Sequence, residues 1–347
     1  MLKIAMLVIV LLIVALVALF IYMMRYRNPA DGRLDAAGIV EKTARVGDVD
    51  FNYAEGPNNG PALLLLHAQT LDWYAYNGVL PELSTKFHVF AVDYPGHGKT
   101  AVPADYEMTA NRIGGDLVRF METVIGEPAF VTGNSSGGLL AVWLAANSPD
   151  LVKAVVLEDP PLFSSEYPAV KSTVAYKLFA ASFRAAQDAN YGGNFLDDWL
   201  KNGKEFFKTY TGPFSQQLIG FVVRSYKKAN PGKPVEIAFV PVSVREMLRG
   251  LNWYDPRFGA AFYEGKWNEG FDHAEALRKI QCPVLLIQAN FGYLADGTLN
   301  GAMSREQADR AVSLIRDCAY VKVDAGHVTN LEAPDQFTRI AEKFFLK

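Results

Sequence analysis

Residues 129–147, AFVTGNSSGGLLAVWLAAN, determine the fold that we expect for this chain. The first four form a short apolar run typical of a buried strand, and residues 138–147 have the pattern of a helix. Between them stands the motif G-x-S-x-G, with Ser135 at its centre. A strained turn from a strand into a helix exposes the hydroxyl of such a serine, and the flanking glycines allow neighbouring backbone to approach. The sequence therefore predicts Ser135 as a nucleophile.

Short apolar or alternating runs on both sides of this turn predict the rest of a sheet. Most of them alternate with helical stretches, which is typical of a mostly parallel sheet covered by helices on both faces. The predicted fold class is therefore α/β, with eight strands. The seven further predicted strands cover residues 42–46, 49–55, 62–66, 87–92, 154–157, 284–287 and 320–323.

Residues 160–280 interrupt this alternation, because they contain helical patterns and no convincing core strand. They also hold 22 of the 43 Phe, Tyr and Trp residues of the chain. We interpret the segment as a helical cap inserted over one end of the sheet. Its aromatic side chains either pack a small core of their own or line a hydrophobic substrate pocket.

Residues 4–24 form an uninterrupted apolar run, which as a helix would span about 30 Å, the thickness of a bilayer core. The alternative is a cleaved signal peptide, whose apolar region is about 7–15 residues long and precedes small residues. This run is longer and ends at Met24 and Arg25, a poor cleavage site. We predict an uncleaved single-pass membrane anchor at residues 1–27, followed by a linker at 28–41.

The charges that flank the apolar run do not decide on which side of the membrane the rest of the chain lies. Lys3 and the α-amine precede the apolar run, and Arg25, Arg27 and Arg33 follow it. The positive-inside rule favours a cytoplasmic location for the larger domain by only about one charge.

Composition excludes several functional classes. The 34 basic and 37 acidic residues give a net charge of -3, which argues against an overall basic surface for nucleic acid. The two cysteines cannot frame a disulfide scaffold, and no Cys/His cluster has the spacing of a zinc site. We therefore predict no metal, no cofactor and no nucleic-acid partner.

A serine nucleophile needs a base, and the base needs a carboxylate that orients it. The candidate base is His327, in a loop directly after the last predicted strand. The leading acid is Asp296, because it follows the strand at 284–287 and gives the chain order Ser, Asp, His. Glu158 and Asp159, at the end of an earlier strand, are the alternatives.

An oxyanion hole needs two backbone N–H groups that point to the developing negative charge. One donor should be Ser136, which follows the nucleophile. The second should come from the loop after the strand at 62–66, where Gln69 is our first choice and Ala68 the second.

Four motifs together resemble the α/β-hydrolase superfamily, and the resemblance covers nearly everything from about residue 42 to the C-terminus. It implies a hydrolase core at residues 42–159 and 281–347, with 160–280 as a lid. The chain departs from the usual pattern at Ala68, where the family has Gly, at Asn134, where it has His, and in the spacing of the acid loop. The motifs are LLLLHAQ (63–69), DYPGHGKT (93–100), GNSSGG (133–138) and DAGHVTNLEAPDQF (324–337).

The resemblance also narrows the chemistry. Epoxide hydrolases and haloalkane dehalogenases of this fold use Asp at the elbow, so Ser135 favours acyl transfer to a serine. With the apolar N-terminus and the cap, the chain resembles membrane-anchored esterases and monoacylglycerol lipases. We therefore expect a serine hydrolase that cleaves a carboxylic ester, with a lipid or aromatic ester as substrate. The alternatives are a carbon–carbon bond hydrolase, a haloperoxidase-like enzyme, or a non-catalytic binding protein at the membrane.

Overall fold

A computed structural model of the chain describes residues 2–203, 212 and 214–347. Its main sheet has eight strands, as predicted. They are β1 (Val40–Val46), β2 (Val49–Glu55), β3 (Ala62–Leu66), β4 (His88–Asp93), β5 (Ala129–Asn134), β6 (Val152–Glu158), β7 (Val284–Gln288) and β10 (Cys318–Lys322), and a separate hairpin consists of β8 (Gly292–Tyr293) and β9 (Leu299–Asn300). The order in the main sheet is β1-β2-β4-β3-β5-β6-β7-β10. The pairs β1–β2 and β2–β4 are antiparallel, and all other pairs of this sheet are parallel.

Both faces of the sheet are covered, which explains the continuous apolar sequence of its central strands. All five residues of β3 are buried. Leu64 and Leu66 belong to one hydrophobic cluster, and Leu63 and Leu65 belong to the other, as the alternation of side chains along a strand requires. The sheet therefore lies between two hydrophobic layers, one on each face.

Helices cover both faces of the sheet, and further helices are inserted between β6 and β7. Residues 110–120 and 136–147 pack on one face, and residues 80–83 and 334–345 pack on the other. The helices are α1 (Leu2–Met24), α2 (Ala30–Ala36), α3 (Leu80–Leu83), α4 (Ala110–Phe120), α5 (Ser136–Asn147), α6 (Val174–Gln187), α7 (Phe195–Asn202), α8 (Ser215–Ala229), α9 (Val242–Leu251), α10 (Pro256–Glu264), α11 (His273–Lys279), α12 (Arg305–Leu314), α13 (Thr329–Glu332) and α14 (Pro334–Phe345).

The segment 160–280, here called the cap segment, is helical in its described part and adds no strand to the main sheet. Helices α6 and α10 pack closely, with Phe179 and Phe262 stacked at 5.0 Å between ring centroids. A Cβ at Gly250 of α9 would lie 2.2 Å from the carbonyl oxygen of Thr70. Helix α9 therefore lies directly against the loop that follows β3.

The N-terminal helix α1 is exposed from residue 3 to residue 22, and Lys3–Met24 is long and apolar enough to cross a membrane. Its last turns contact the cap segment. Phe20 stacks on Phe221 with 6.0 Å between ring centroids, and the side-chain amide of Asn230 donates to the carbonyl of Met24 at 2.9 Å. The end of the apolar helix therefore adjoins α8.

Candidate active site

Ser135 occupies a strained turn between β5 and α5, the local structure that its motif predicts. Its backbone has φ 56° and ψ -120°, a conformation that only close surrounding structure can impose. A Cβ at Gly133 would lie 2.2 Å from the carbonyl oxygen of Gly137, and one at Gly137 would lie 2.1 Å from that of Leu66. The two glycines of the motif are therefore required because backbone passes through the space of a side chain.

His327 and Asp159 form a hydrogen-bonded pair beside this turn. The Nδ1 atom of His327 lies 2.7 Å from Oδ2 of Asp159, whose side chain is buried. The other oxygen of Asp159 accepts a hydrogen bond from the backbone N–H of Ala289 at 3.1 Å. Because a carboxylate can only accept, Nδ1 of His327 carries the hydrogen and its Nε2 is left to act as a base.

Asp296, our first choice for the acid, does not make this contact. Hydrogen bonds from the side chain of Thr298 and, at 3.0 Å, from its backbone N–H lower the pKa of this exposed carboxyl. The chain after β7 forms the β8–β9 hairpin, and Asp296 lies in its turn. The contact seen in the structure could be inferred from adjacency in the sheet, because Asp159 directly follows β6 and β6 is paired with β5, which leads into the turn of Ser135.

Glu158, the other alternative acid, is hydrogen-bonded to backbone N–H groups of the turn of Ser135 and of the loop that contains His327. Its carboxylate accepts a hydrogen bond from the backbone N–H of Asn330 at 2.7 Å, and its carbonyl accepts from the N–H of Ser135 at 3.0 Å. Burial raises the pKa of this carboxyl to about 8. Glu158 therefore connects the turn of the serine to the loop of the histidine.

Asn134 adds a second connection that the sequence did not reveal. Its side-chain amide donates to the carbonyl of His327 at 2.9 Å and to that of Glu158 at 3.0 Å. In the sequence, Asn134 was notable only because the family usually has His at this position. The structure gives it the geometry of a crosslink between β5, β6 and the histidine loop.

The predicted oxyanion donors lie together at one cavity, which Ala68, Gln69, Ser135 and Ser136 all line. Nδ1 of His67 lies 2.8 Å from the carbonyl oxygen of Ala68 and donates to it, because a carbonyl oxygen can only accept. Burial lowers the pKa of His67 to about 4. In a trans peptide the next N–H points the opposite way, so the N–H of Gln69 is directed away from His67. Ser136 begins α5, where backbone N–H groups lack partners within the helix.

The cavity has a volume of about 530 Å³ and also includes His327 in its lining. This size falls within the range of about 300–1,000 Å³ that is common for small-molecule sites. Most of its lining residues belong to the cap segment, and the majority of these are apolar. They include Val174, Leu178, Phe179, Ile219, Val244, Met247, Leu248 and Phe262.

Two other histidines, His273 and His97, are buried and make structural contacts. His273 is buried, accepts a hydrogen bond from the backbone N–H of Phe163 at 2.9 Å, and has its pKa lowered to about 3 by burial. His97 is buried against the rings of Tyr94 and Phe258. Over the described part of the chain, no group of three His, Cys, Asp or Glu side chains could hold a metal ion.

Comparisons with known proteins agree with this architecture. The alpha/beta hydrolase family model matches residues 63–340. The chain is 27% identical over 310 residues to Epoxide hydrolase 3 of Siraitia grosvenorii, which covers 83% of this chain and 92% of that protein. The structure of the carboxylesterase CesB of Bacillus subtilis covers 91% of this chain and 95% of its own, with a TM-score of 0.61 and 20% identity. That of a membrane phospholipase A covers 99% and 98%, with a TM-score of 0.61 and 19% identity.

The resemblance that the four sequence motifs indicated is thereby confirmed, since the matched residues extend from β3 to α14 and span most of the chain. The two solved structures share the fold at low identity. The chain belongs to the alpha/beta hydrolase family.

Proposed function

We propose that this protein is a serine hydrolase that cleaves a carboxylic ester through an acyl-enzyme, with Ser135, His327 and Asp159 as its catalytic triad. One observation carries the proposal. The imidazole of His327 is held by a buried carboxylate at 2.7 Å, and it borders the same apolar cavity as a serine in a strained elbow.

The proposed reaction begins when Oγ of Ser135 attacks the ester carbonyl while Nε2 of His327 takes its proton. The carbonyl oxygen becomes an oxyanion, which the N–H groups of Gln69 and Ser136 stabilise. The intermediate collapses, the carbon–oxygen bond to the alcohol breaks, and His327 returns the proton to the leaving alcohol. Water, deprotonated by His327, then attacks the acyl-serine, and the carboxylic acid leaves as the proton returns to Ser135. Asp159 keeps the imidazole in the required tautomer throughout.

The identity of the nucleophile supports an ester over an epoxide, although an epoxide hydrolase is among the relatives of this chain. If a serine hydroxyl opened an epoxide, the product would be an ether, which a water molecule activated by histidine does not hydrolyse. An acyl-serine, by contrast, is an ester that water releases readily. Ser135 therefore suits acyl transfer.

The surroundings of the triad support an apolar, lipid-like ester as substrate. The cap segment contributes many aliphatic and aromatic side chains to the cavity wall, and these solvate an acyl chain better than a charged group. The exposed apolar helix α1 supports a single-pass membrane anchor at the N-terminus. We therefore propose that the cap segment forms the acyl pocket of a membrane-tethered esterase.

The test is turnover of p-nitrophenyl esters of increasing acyl length by the full-length chain in detergent micelles. Ser135→Ala should abolish turnover, because the proposed acyl-enzyme forms on the Oγ atom that this substitution removes. Ser313→Ala, at an exposed serine on α12, is the matched control and should keep full activity. Equal activity of the Ser135→Ala variant and the unchanged protein would refute the assignment of the nucleophile.

A further inference from the structure

We propose that one exposed face of the cap segment lies in the membrane leaflet in which α1 ends, so that a lipid ester enters the cavity directly from the bilayer. This outer face consists of Phe214, Leu218, Phe221 and Phe239. Their exposed fractions are 80%, 65%, 54% and 74%, which is far above what large apolar side chains in water usually show. The inference rests on the proposed esterase function and on the membrane anchor.

Helix α8 carries apolar residues on two opposite sides. Val223 and Tyr226 are buried against the protein. Leu218 and Phe221, which are three residues apart and share the opposite side of the helix, are exposed. A helix that is apolar on both sides is expected where each side meets an apolar environment. Among the residues that the structure describes, the protein buries only the side that carries Val223 and Tyr226.

The contacts of α1 place the outer face at the depth of the membrane boundary. Phe20 of α1 stacks on Phe221 with 6.0 Å between ring centroids, and Tyr22 contacts Phe239 at 5.5 Å. With a rise of 1.5 Å per residue, Phe20 lies about 6 Å from the end of α1 at Met24. If α1 spans the bilayer, the side chains stacked on its last turns must lie at the same depth.

Charged residues around this level fit a lipid surface better than a second copy of the chain. Exposed basic side chains follow α1 at Arg25 and Arg27, and others lie on or just after α8 at Arg224, Lys228 and Lys233. Such side chains extend to headgroup phosphates while their aliphatic parts stay near the hydrocarbon. Two copies joined through the outer face would instead bring these positive charges together.

The outer face is also close to the cavity. Ile219 lines the cavity, whereas its neighbours Leu218 and Phe221 on the same helix belong to the outer face. Within the described part of the chain, α8 therefore lies between the proposed leaflet and the acyl pocket. A lipid ester could pass around this helix without crossing water, which would favour substrates that reside in the bilayer.

The first test measures depth and is independent of catalysis. Single cysteines for spin labels are introduced by Leu218→Cys, Phe221→Cys and, as a control at an exposed position on α12, Ser313→Cys. The full-length chain carries Cys282→Ser and Cys318→Ser and is reconstituted in vesicles of phosphatidylcholine and phosphatidylglycerol. Labels at 218 and 221 should be accessible to oxygen and shielded from a water-soluble nickel complex, and the label at 313 should show the reverse.

Two results would overturn the proposal. Labels at 218 and 221 that are as accessible to nickel as the label at 313 would place the outer face in water. Strong dipolar broadening between labels at 221 would show that a second copy covers the face.

The second test compares two substrates for the double variant Leu218→Ser, Phe221→Ser in the full-length chain. Turnover of a vesicle-embedded long-chain ester should fall about tenfold or more, because two apolar side chains no longer enter the leaflet. Turnover of a dissolved short-chain ester should stay unchanged, since neither side chain lines the cavity. An equal loss on both substrates would contradict the proposed entry route. If Ser135→Ala kept its turnover, the esterase proposal would fail while the depth measurement still stood.

Discussion

Substitution of Asp159 by Asn gives the most informative test of the proposed triad. In the unchanged protein, Oδ1 of Asp159 accepts from the N–H of Ala289 and Oδ2 accepts from Nδ1 of His327. An amide at this position can keep the first bond only by placing its oxygen toward Ala289. Its NH₂ group then faces Nδ1 of His327, which must accept, so the imidazole hydrogen moves to Nε2 and the ring cannot take the proton of Ser135.

The expected loss follows from this change of tautomer. In serine triads the same substitution lowers kcat by about 10⁴, which corresponds to about 5 kcal/mol of transition-state free energy. The fold should tolerate the change, because Asp159 has φ 46° and Asn accepts this left-handed region as readily as Asp. KM should change little, since the carboxylate is buried behind His327 and does not line the cavity.

The assay is kcat and KM of the full-length chain on a p-nitrophenyl ester, with Asp296→Asn as the matched variant. Asp296 is exposed and bonded only within its own turn, so its substitution should change kcat by less than about twofold. Thermal unfolding of both variants controls for folding. A small effect of Asp159→Asn beside a large effect of Asp296→Asn would refute the pairing seen in the structure and return the role to Asp296.

Three further predictions concern Ser135, Gly137 and the buried carboxyl of Glu158. Ser135→Ala should eliminate turnover while leaving the melting temperature unchanged within about 2 °C, and a shift several times larger would assign Ser135 a structural role as well. Gly137→Ala should destabilise the fold by about 3 kcal/mol or more in denaturant unfolding, because its Cβ would lie 2.1 Å from the carbonyl of Leu66. Gly115→Ala, which meets open space on α4, should not destabilise it. Burial raises the pKa of Glu158 from 4.5 to about 8. The native protein therefore holds a proton there that the unfolded chain releases, so Glu158 should lower the free energy of unfolding by up to about 1.4 kcal/mol per pH unit as pH rises from about 5 to 8. Glu158→Gln should remove this part of the decline, and an unchanged pH dependence would show that Glu158 is ionised in the native state.

The sequence was sufficient for the fold because the signals that specify it are local. A buried strand such as β3 needs apolar residues at every position, and the glycines at 133 and 137 report a close approach of backbone within a few residues. All eight predicted strands are present in the sheet, with bounds that differ by a few residues. The domain limits and the membrane anchor remain predictions.

The carboxylate partner of His327 was harder to predict because this contact joins distant residues. Asp159 and His327 are 168 residues apart, and no local pattern distinguishes Asp159 from Asp296. After β7 the chain forms the β8–β9 hairpin, and the turn of this hairpin leaves Asp296 exposed to solvent. The crosslink made by Asn134 also joins distant segments, so the sequence showed only an unusual residue before the nucleophile.

The measurement that tests the central claim most directly is covalent labelling of the full-length chain with a fluorophosphonate, followed by mass spectrometry. An activated serine is required for this reaction, whatever the natural substrate. We expect one adduct, located at Ser135, with labelling strongly slowed in the Asp159→Asn variant. Folded protein that takes up no label, or an adduct at another residue, would contradict the assignment of Ser135 as the nucleophile.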